Sequence, residues 1–249
     1  MTGWDALRRE LDLWAQTGGT ATLWWRDDDA VGPSAALDRA MALAEASAVP
    51  LALAVIPAEN RLTAADLAGA VTPVQHGYAH RNHAGPGAKK RELGAERRAD
   101  HVLAELMTGR DALERAFGGV FRPVLVPPWN RIGAHLPPLL PELGYAGLSR
   151  FGARDRPGIG AMGIVNAHAD IVDWKGSRGF VGAERALAQL VGHLRARREG
   201  TADPAEATGL LTHHRVHDAA CWNFLERLFE TTAQSGIAEW RSAATLFYA

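Results

Sequence analysis

His76 and His80 stand four residues apart in His-Gly-Tyr-Ala-His, directly behind a short apolar run. Two imidazoles at that spacing, joined by one carboxylate, make the two-histidine, one-carboxylate set of hydrolytic zinc sites, which leaves a position open for water. On a loop after a strand both rings can turn to one ion, at ligand distances of about 2.1 Å. An isolated pair of this kind is more often a superficial one. Here Asp27-Asp28-Asp29, at the end of the apolar run Thr20 to Arg26, offers the carboxylate. Three adjacent aspartates are costly as mere structure, because like charges repel and each loses hydration on burial; a cation or a shared proton relieves that cost. The competing reading is a solvated turn whose aspartate caps the next helix. A third cluster, His213-His214, follows Gly209-Leu210-Leu211 and precedes His217-Asp218. One imidazole there, with a pKa near neutrality, suits proton donation to a leaving group. His217 reads as a polar loop or cap residue.

Such distant clusters make one site only if the fold gathers strand ends. Thr20 to Arg26 reads as a strand, followed by a helix over 34–48 with Leu37, Met41, Ala44 and Ala48 on one face. Leu51 to Ile56, closed by Pro57, is a second strand, and a short helix follows Thr63. Val71 to Gln75 is a third strand and ends on His76. A long charged helix is expected from about Lys89 to Phe117, stopped by Gly118-Gly119. Val124 to Val126 leads into Pro127-Pro128-Trp129-Asn130, where two prolines enforce a rigid turn. Later strands are expected over 145–149, 163–167, 209–212 and 236–240, with helices over 136–143 and 183–198. Strands alternating with helices predict a parallel sheet with helices outside, in one domain spanning 1–249. A closed or nearly closed barrel follows, and in such barrels functional groups collect at the carboxyl ends of the strands. Asp27 to Asp29, His76, Pro127 to Asn130, Asp173 and His213 all fall there.

Composition narrows the function classes. The 249 residues are 47% hydrophobic, enough for a sizeable core, and the net charge is −1. That balance gives no footprint for nucleic acid. Lys89-Lys90-Arg91 and Arg195 to Arg198 read as solvated helix faces. Cys221, the only cysteine, shares helical spacing with Phe224, Leu225, Leu228 and Phe229 and is expected to be buried and inert. The amphipathic amino terminus lacks the apolar stretch of a secretory signal or a membrane span, so the given chain is expected to be cytoplasmic, with no membrane partner. Oligomeric state is not legible. Tryptophans 24 and 25 are expected in the core rather than on a sugar-stacking surface.

Taken in order, these residues resemble the polysaccharide deacetylases of the NodB-homology type, carbohydrate esterase family 4, and more closely a divergent bacterial subgroup of deacetylase-like proteins. The resemblance runs from about Leu23 to His214 through five ordered motifs, each weak alone. Asp28-Asp29 is similar to the family's aspartate pair, the first a general base and the second a metal ligand; Asp27-Asp28 is the alternative register. His76 and His80 match the two metal histidines. Pro127-Pro128-Trp129-Asn130 is similar to the third motif, but Val126 stands where the family has an arginine that orients the catalytic aspartate; Arg26, Arg131 and Arg150 are the candidates to replace it. Asp170 to Trp174 matches the D-x-x-D-W motif, with Asp173 and Trp174 near the second catalytic half. Leu211-Thr212-His213 matches the fifth, with His213 as general acid.

The resemblance implies an α/β fold, a distorted (β/α)7 barrel, and metal-dependent removal of an acetyl group from an N- or O-acetylated sugar or related small substrate. Asp29, His76 and His80 would hold the ion and Asp28 and His213 would move protons. Asp27, Pro128, Trp129, Asn130, Asp173, Trp174 and His214 would support or bind substrate. Backbone N–H near Trp129 would steady the oxyanion. Zinc suits two imidazoles and a carboxylate best, and cobalt, nickel or iron can occupy the same ligands. Two other classes stay open: a hydrolase of another C–N bond, such as a cyclic imide or formamide, and a carbohydrate- or metal-binding barrel without turnover.

Overall fold

The computed structural model describes residues 2–248. Strands β1 (Ala21–Ala30), β2 (Leu51–Val55), β3 (Val71–His76), β4 (Val124–Val126), β5 (Gly147–Leu148), β6 (Gly158–Ile159), β7 (Met162–Ile164), β8 (Ala169–Asp170), β9 (Thr208–Thr212) and β10 (Ala238–Trp240) share one sheet. Its order is β6-β7-β5-β4-β3-β2-β1-β9-β8, with β10 beside the start of β1. All pairings but β6 with β7 are parallel. The segment 162–170 completes a ring, because its first half pairs with β5 while its last residues pair with β9. Counting that segment once, seven parallel strands surround the lumen, as expected for a distorted (β/α)7 barrel.

Helices α1 (Gly3–Gln16), α2 (Ala35–Ser47), α3 (Ala99–Phe117), α4 (Ala183–Arg198), α5 (Ala219–Ser235) and α6 (Ala243–Phe247) cover the sheet. The Ser34 hydroxyl accepts from the Leu37 N–H and starts α2, and Ala48 ends it in the left-handed region. Side chains of a strand alternate between faces. In β1, Leu23 and Trp25 pack outward with Leu51, Leu53 and Val55 of β2 and with the helices. Trp24 faces the lumen with Ala52, Ala54, Val74 and Val124. The small alanines at 52 and 54 leave room for the large inward side chains of β1. Cys221 is buried on α5, as expected.

Several expected elements are corrected. β1 does not stop before the acids: it runs through Asp27 to Asp29 to Ala30, with an irregular register between Asp27 and Ala30. α3 begins at Ala99 rather than near Lys89, because the intervening chain is pulled inward as a loop. Glu92 is 1% exposed there and Leu93 is fully buried, bridged to Ile132. Lys89-Lys90-Arg91 therefore lies on a loop and not on a helix face. Within Arg195 to Arg198, Arg197 is buried and bonded to Thr22, Pro204 and Thr208, and Arg198 pairs with Glu10. The helix expected over 136–143 is two 3-10 turns, since Pro137, Pro138 and Pro141 remove the amide donors that a continuous helix needs. Among the described residues no helix is long and apolar enough to cross a membrane.

Candidate metal centre and proton-transfer groups

The three aspartates at the end of β1 go to three different places. Asp27 faces outward, fully buried, and accepts from the Thr212 hydroxyl, the His214 N–H and His214 Nδ1. Burial opposes its ionisation, but the charge and hydrogen bond of His214 hold its carboxyl below the usual range. Asp28 faces the lumen and meets Arg26, which is 0% exposed. Arg26 Nε lies 2.9 Å from Oδ1, close enough for an ion pair though poorly aligned for a hydrogen bond, while Nη2 donates to Oδ2 at 3.1 Å. The same guanidinium donates to Ser149 Oγ (2.6 Å), the Arg150 carbonyl (3.1 Å) and Asn130 Oδ1 (2.6 Å). Of the three arginines that sequence offered as partners for the aspartate, Arg26 is the one placed against it. Asp29 has φ 71°, a left-handed turn out of the strand that swings its carboxylate into the mouth.

There it meets the two histidines. His76 ends β3; His80 reaches back through the tight turn Gly77 to Ala79, with φ 52° at His80 and 56° at Gly77. Glu92 holds this turn by accepting from the Tyr78 N–H (3.0 Å) and the Ala79 N–H (2.7 Å). A side chain at Gly77 would run into that carboxylate and the Pro128 ring. His76 Nε2 lies 3.1 Å and His80 Nε2 3.3 Å from Asp29 Oδ1, and the three ligand atoms lie within 4.8 Å of one another. His76 Nδ1 is 3.0 Å from the Val126 carbonyl, which can only accept, so Nδ1 carries the ring's proton. In the neutral ring Nε2 therefore turns a lone pair toward the carboxylate, an arrangement that requires a proton or a cation between them. Two imidazoles and one carboxylate, fixed from behind by a carbonyl, fit a divalent transition metal. With protons alone, burial opposes the charge on His76 but Asp28 and Asp29 outweigh it, and its pKa is raised; burial and the His76 charge lower that of His80.

The opposite wall carries His213, at the end of β9. Among the described residues its Nδ1 has no hydrogen-bond partner, and the Trp174 ring stands edge-on 4.7 Å away. Asp170 lies beside them, accepting from Trp174 Nε1 at 2.8 Å, and burial raises its pKa. Asp28, Asp29, Trp129, Asn130, Trp174 and His213 line one cavity of about 680 Å³. Asp173 does not line it; its carboxylate and carbonyl cap the turn through Gly176 to Arg178, so Asp170 is the aspartate of the D-x-x-D-W motif that reaches the site. Pro128 is buried beneath the His76 turn, and Asp27 and His214 sit behind β1, outside the cavity. Sequence reasoning passed over Glu92, Phe151 and Arg178; the last two are cavity walls on loops without a motif.

A second two-histidine, one-carboxylate group, His168, His193 and Glu206, is buried at the other end of the barrel. Its protons are arranged differently. The Gly209 N–H donates to His168 Nδ1 at 2.9 Å, so the proton of the neutral ring sits on Nε2, which faces Glu206 Oε2 at 3.5 Å. That nitrogen has no lone pair for a metal. Glu206 also accepts from the Arg154 and Asn166 N–H groups, both at 2.9 Å; burial opposes its ionisation, but His168 and His193 beside it, with the Arg154 N–H, outweigh that and hold its carboxyl well below the usual range. The group is a carboxylate held by N–H donors.

No family model matches the chain, and no curated protein matches it in sequence. Solved structures match in fold over nearly its whole length. A candidate polysaccharide deacetylase from Mycobacterium smegmatis superposes with a TM-score of 0.60 at 16% identity, covering 92% of this chain and 90% of that one. A family 4 acetyl xylan esterase from Clostridium thermocellum, solved with a cobalt ion, gives 0.53 at 14% identity over 91% and 90%. The Bc1960 peptidoglycan N-acetylglucosamine deacetylase gives 0.53 at 14% over 95% and 96%. The chain has the barrel fold of these deacetylases and esterases.

Proposed function

We propose that the protein is a metal-dependent hydrolase that removes an acetyl group from an N- or O-acetylated saccharide or related small substrate, working as a single barrel domain. The observation that carries this reading is the convergence of Asp29, His76 and His80, with the His76 lone pair turned inward, on the cavity that also holds Asp28 and His213. When bound, a divalent ion supplies Lewis acidity toward the acyl carbonyl and lowers the pKa of water. Zinc is the metal this ligand set suits best; cobalt, nickel or iron are the alternatives.

The chain's own groups account for the rest. Asp28, its carboxylate fixed by Arg26, takes a proton from the attacking water. His213, from the opposite wall, gives a proton to the departing amine or alcohol. Asn130 and Arg131 N–H groups are taken by the Pro127 and Pro128 carbonyls, and the Trp129 N–H, the remaining amide of this turn, is assigned to the oxyanion. An arginine placed on Asp28 supports turnover over a barrel that only binds. The test has two arms: metal content of purified wild type beside His76→Ala, and acetate release from a panel of acetylated sugars set against cyclic imides and formamides. About one transition metal per chain, lost in the variant, with acetate released, is expected. A metal-free wild type after zinc addition overturns the site, and turnover confined to imides or formamides overturns the acetyl specificity.

A further inference from the structure

The rim of the cavity is more basic than its floor. Lys90, Arg131 and Arg178 all line it, and among the described residues none of the three makes an ion pair. Their neighbours do: Arg91 pairs with Glu96 and Arg150 with Asp155. Arg131 makes one side-chain hydrogen bond, from Nη1 to the Lys90 carbonyl at 2.8 Å, which holds the two cations on the same lip. Arg178 comes from a different loop, after β8, where φ 60° and an N–H bond to the Asp173 carbonyl fix its backbone. Lys90 and Arg178 are exposed and Arg131 is half-buried.

The acids of the floor do not answer these charges. Asp28 is matched by Arg26, Asp29 by the two histidines, and Asp170 by the Trp174 and Val172 N–H groups. In a chain of net charge −1, three unpaired cations on one rim are a local excess. Two aromatic rings stand among them, Phe151 and Trp174, each 43% exposed. Flat apolar rings suit the C–H face of a sugar, and guanidinium and ammonium groups suit a carboxylate or phosphate on it.

We propose that the site takes anionic saccharides: a sugar whose carboxylate or phosphate is held by Lys90, Arg131 and Arg178 while its ring lies on Phe151 or Trp174. The identity of the reacting acetyl group rests on the hydrolase reading above; the preference for an anion does not. Calorimetric titration of the purified, metal-loaded protein tests it with sugars that carry no acetyl group: trigalacturonate and glucose 6-phosphate against their neutral counterparts, galactotriose and glucose. One or both anions are expected to bind about ten-fold more tightly than the neutral sugar, the gain expected of a few exposed ion pairs, with the advantage shrinking as salt is added. The Lys90→Gln/Arg178→Gln double variant, with unchanged metal content, should lose that advantage. Equal binding of neutral and anionic sugars overturns the proposal. So does an advantage that survives in the double variant, because the anion is then held elsewhere. An anion preference without acetate release from any substrate sinks the hydrolase reading alone.

Discussion

Arg26 is a fully buried cation whose two terminal nitrogens donate to four groups, of which the Asp28 carboxylate alone is charged. Arg26→Lys keeps the charge but loses the planar fork that reaches both carboxylate oxygens together with Asn130 and Ser149. Steady-state kinetics on that variant should show kcat down about 100-fold, the usual scale for a misplaced proton-transfer group, with metal content unchanged. Full activity would remove Arg26 from its positioning task. Arg26→Ala leaves Asp28 buried without a counter-charge, and urea unfolding should show a loss of about 3–5 kcal/mol. The histidines make a second contrast at this scale. His76 shows a lone pair to its carboxylate and His168 shows a proton. Elemental analysis should therefore find the metal gone from His76→Ala and retained in His168→Asn; the reverse would overturn the tautomer assignment. The three acid and histidine clusters were legible in sequence because their chemistry is costly unless they meet. Which arginine orients Asp28 was not, since that depends on the parity of β1: residues 24, 26 and 28 share the lumen face, and the register of the Asp triple decides which face that is.

The loop between β3 and α3 shows the limit of periodicity at the scale of elements. Lys89 to Phe117 carries enough charged and apolar residues for one long helix, yet the first part is a loop because Glu92 is worth more to the fold as a buried acceptor. It satisfies two N–H groups of the turn between the histidines. Nothing in its local sequence marks it, for a glutamate bound to a backbone fourteen residues away has no short-range signature. Glu92→Ala should loosen that turn and weaken metal binding by about 10- to 100-fold in competition with a chelator, the scale seen when an outer support of a metal ligand is removed. Unchanged affinity would show that Gly77 and Pro128 fix the turn alone. The strand and helix sequence itself was largely readable, and α2, β2, β3, β4 and α4 lie within a residue or two of expectation. β2, β3 and β4 are short apolar runs, and α2 lies between the Ser34 cap and the left-handed Ala48.

Across the whole molecule, the barrel closes where segment 162–170 changes partners, and Asn166 and Glu206 bind that point. The Arg150 N–H donates to Asn166 Oδ1 (2.8 Å), Asn166 Nδ2 donates to the Gly152 carbonyl (2.7 Å), and Glu206 holds the Asn166 and Arg154 N–H groups. Acid should loosen it. Burial lowers the His168 pKa to about 4, below its ordinary 6.5, so the unfolded chain takes up that proton first. The resulting stability is fully present above pH 6.5 and is lost as pH falls toward 4. Glu206, held low, adds a loss in the same direction once pH drops below its ordinary 4.5. Between pH 6.5 and 5, unfolding free energy should fall by up to about 2 kcal/mol from His168 alone. His168→Gln, less stable at pH 7, should show a shallower slope over that window in urea titrations, and an unchanged slope would count against this assignment.

The pairing of β1 with β9 joins Leu23 to Thr208 and Asp27 to Thr212. During synthesis, then, β1 has one edge that stays open until β9 has been made, because Thr208 is encoded 185 residues after its partner Leu23. The proposed metal ligands Asp29, His76 and His80 are all made well before Ser149 and His214 arrive to occupy Arg26 and Asp27. The first strand of the barrel is completed only by its late strands, β9 and β10.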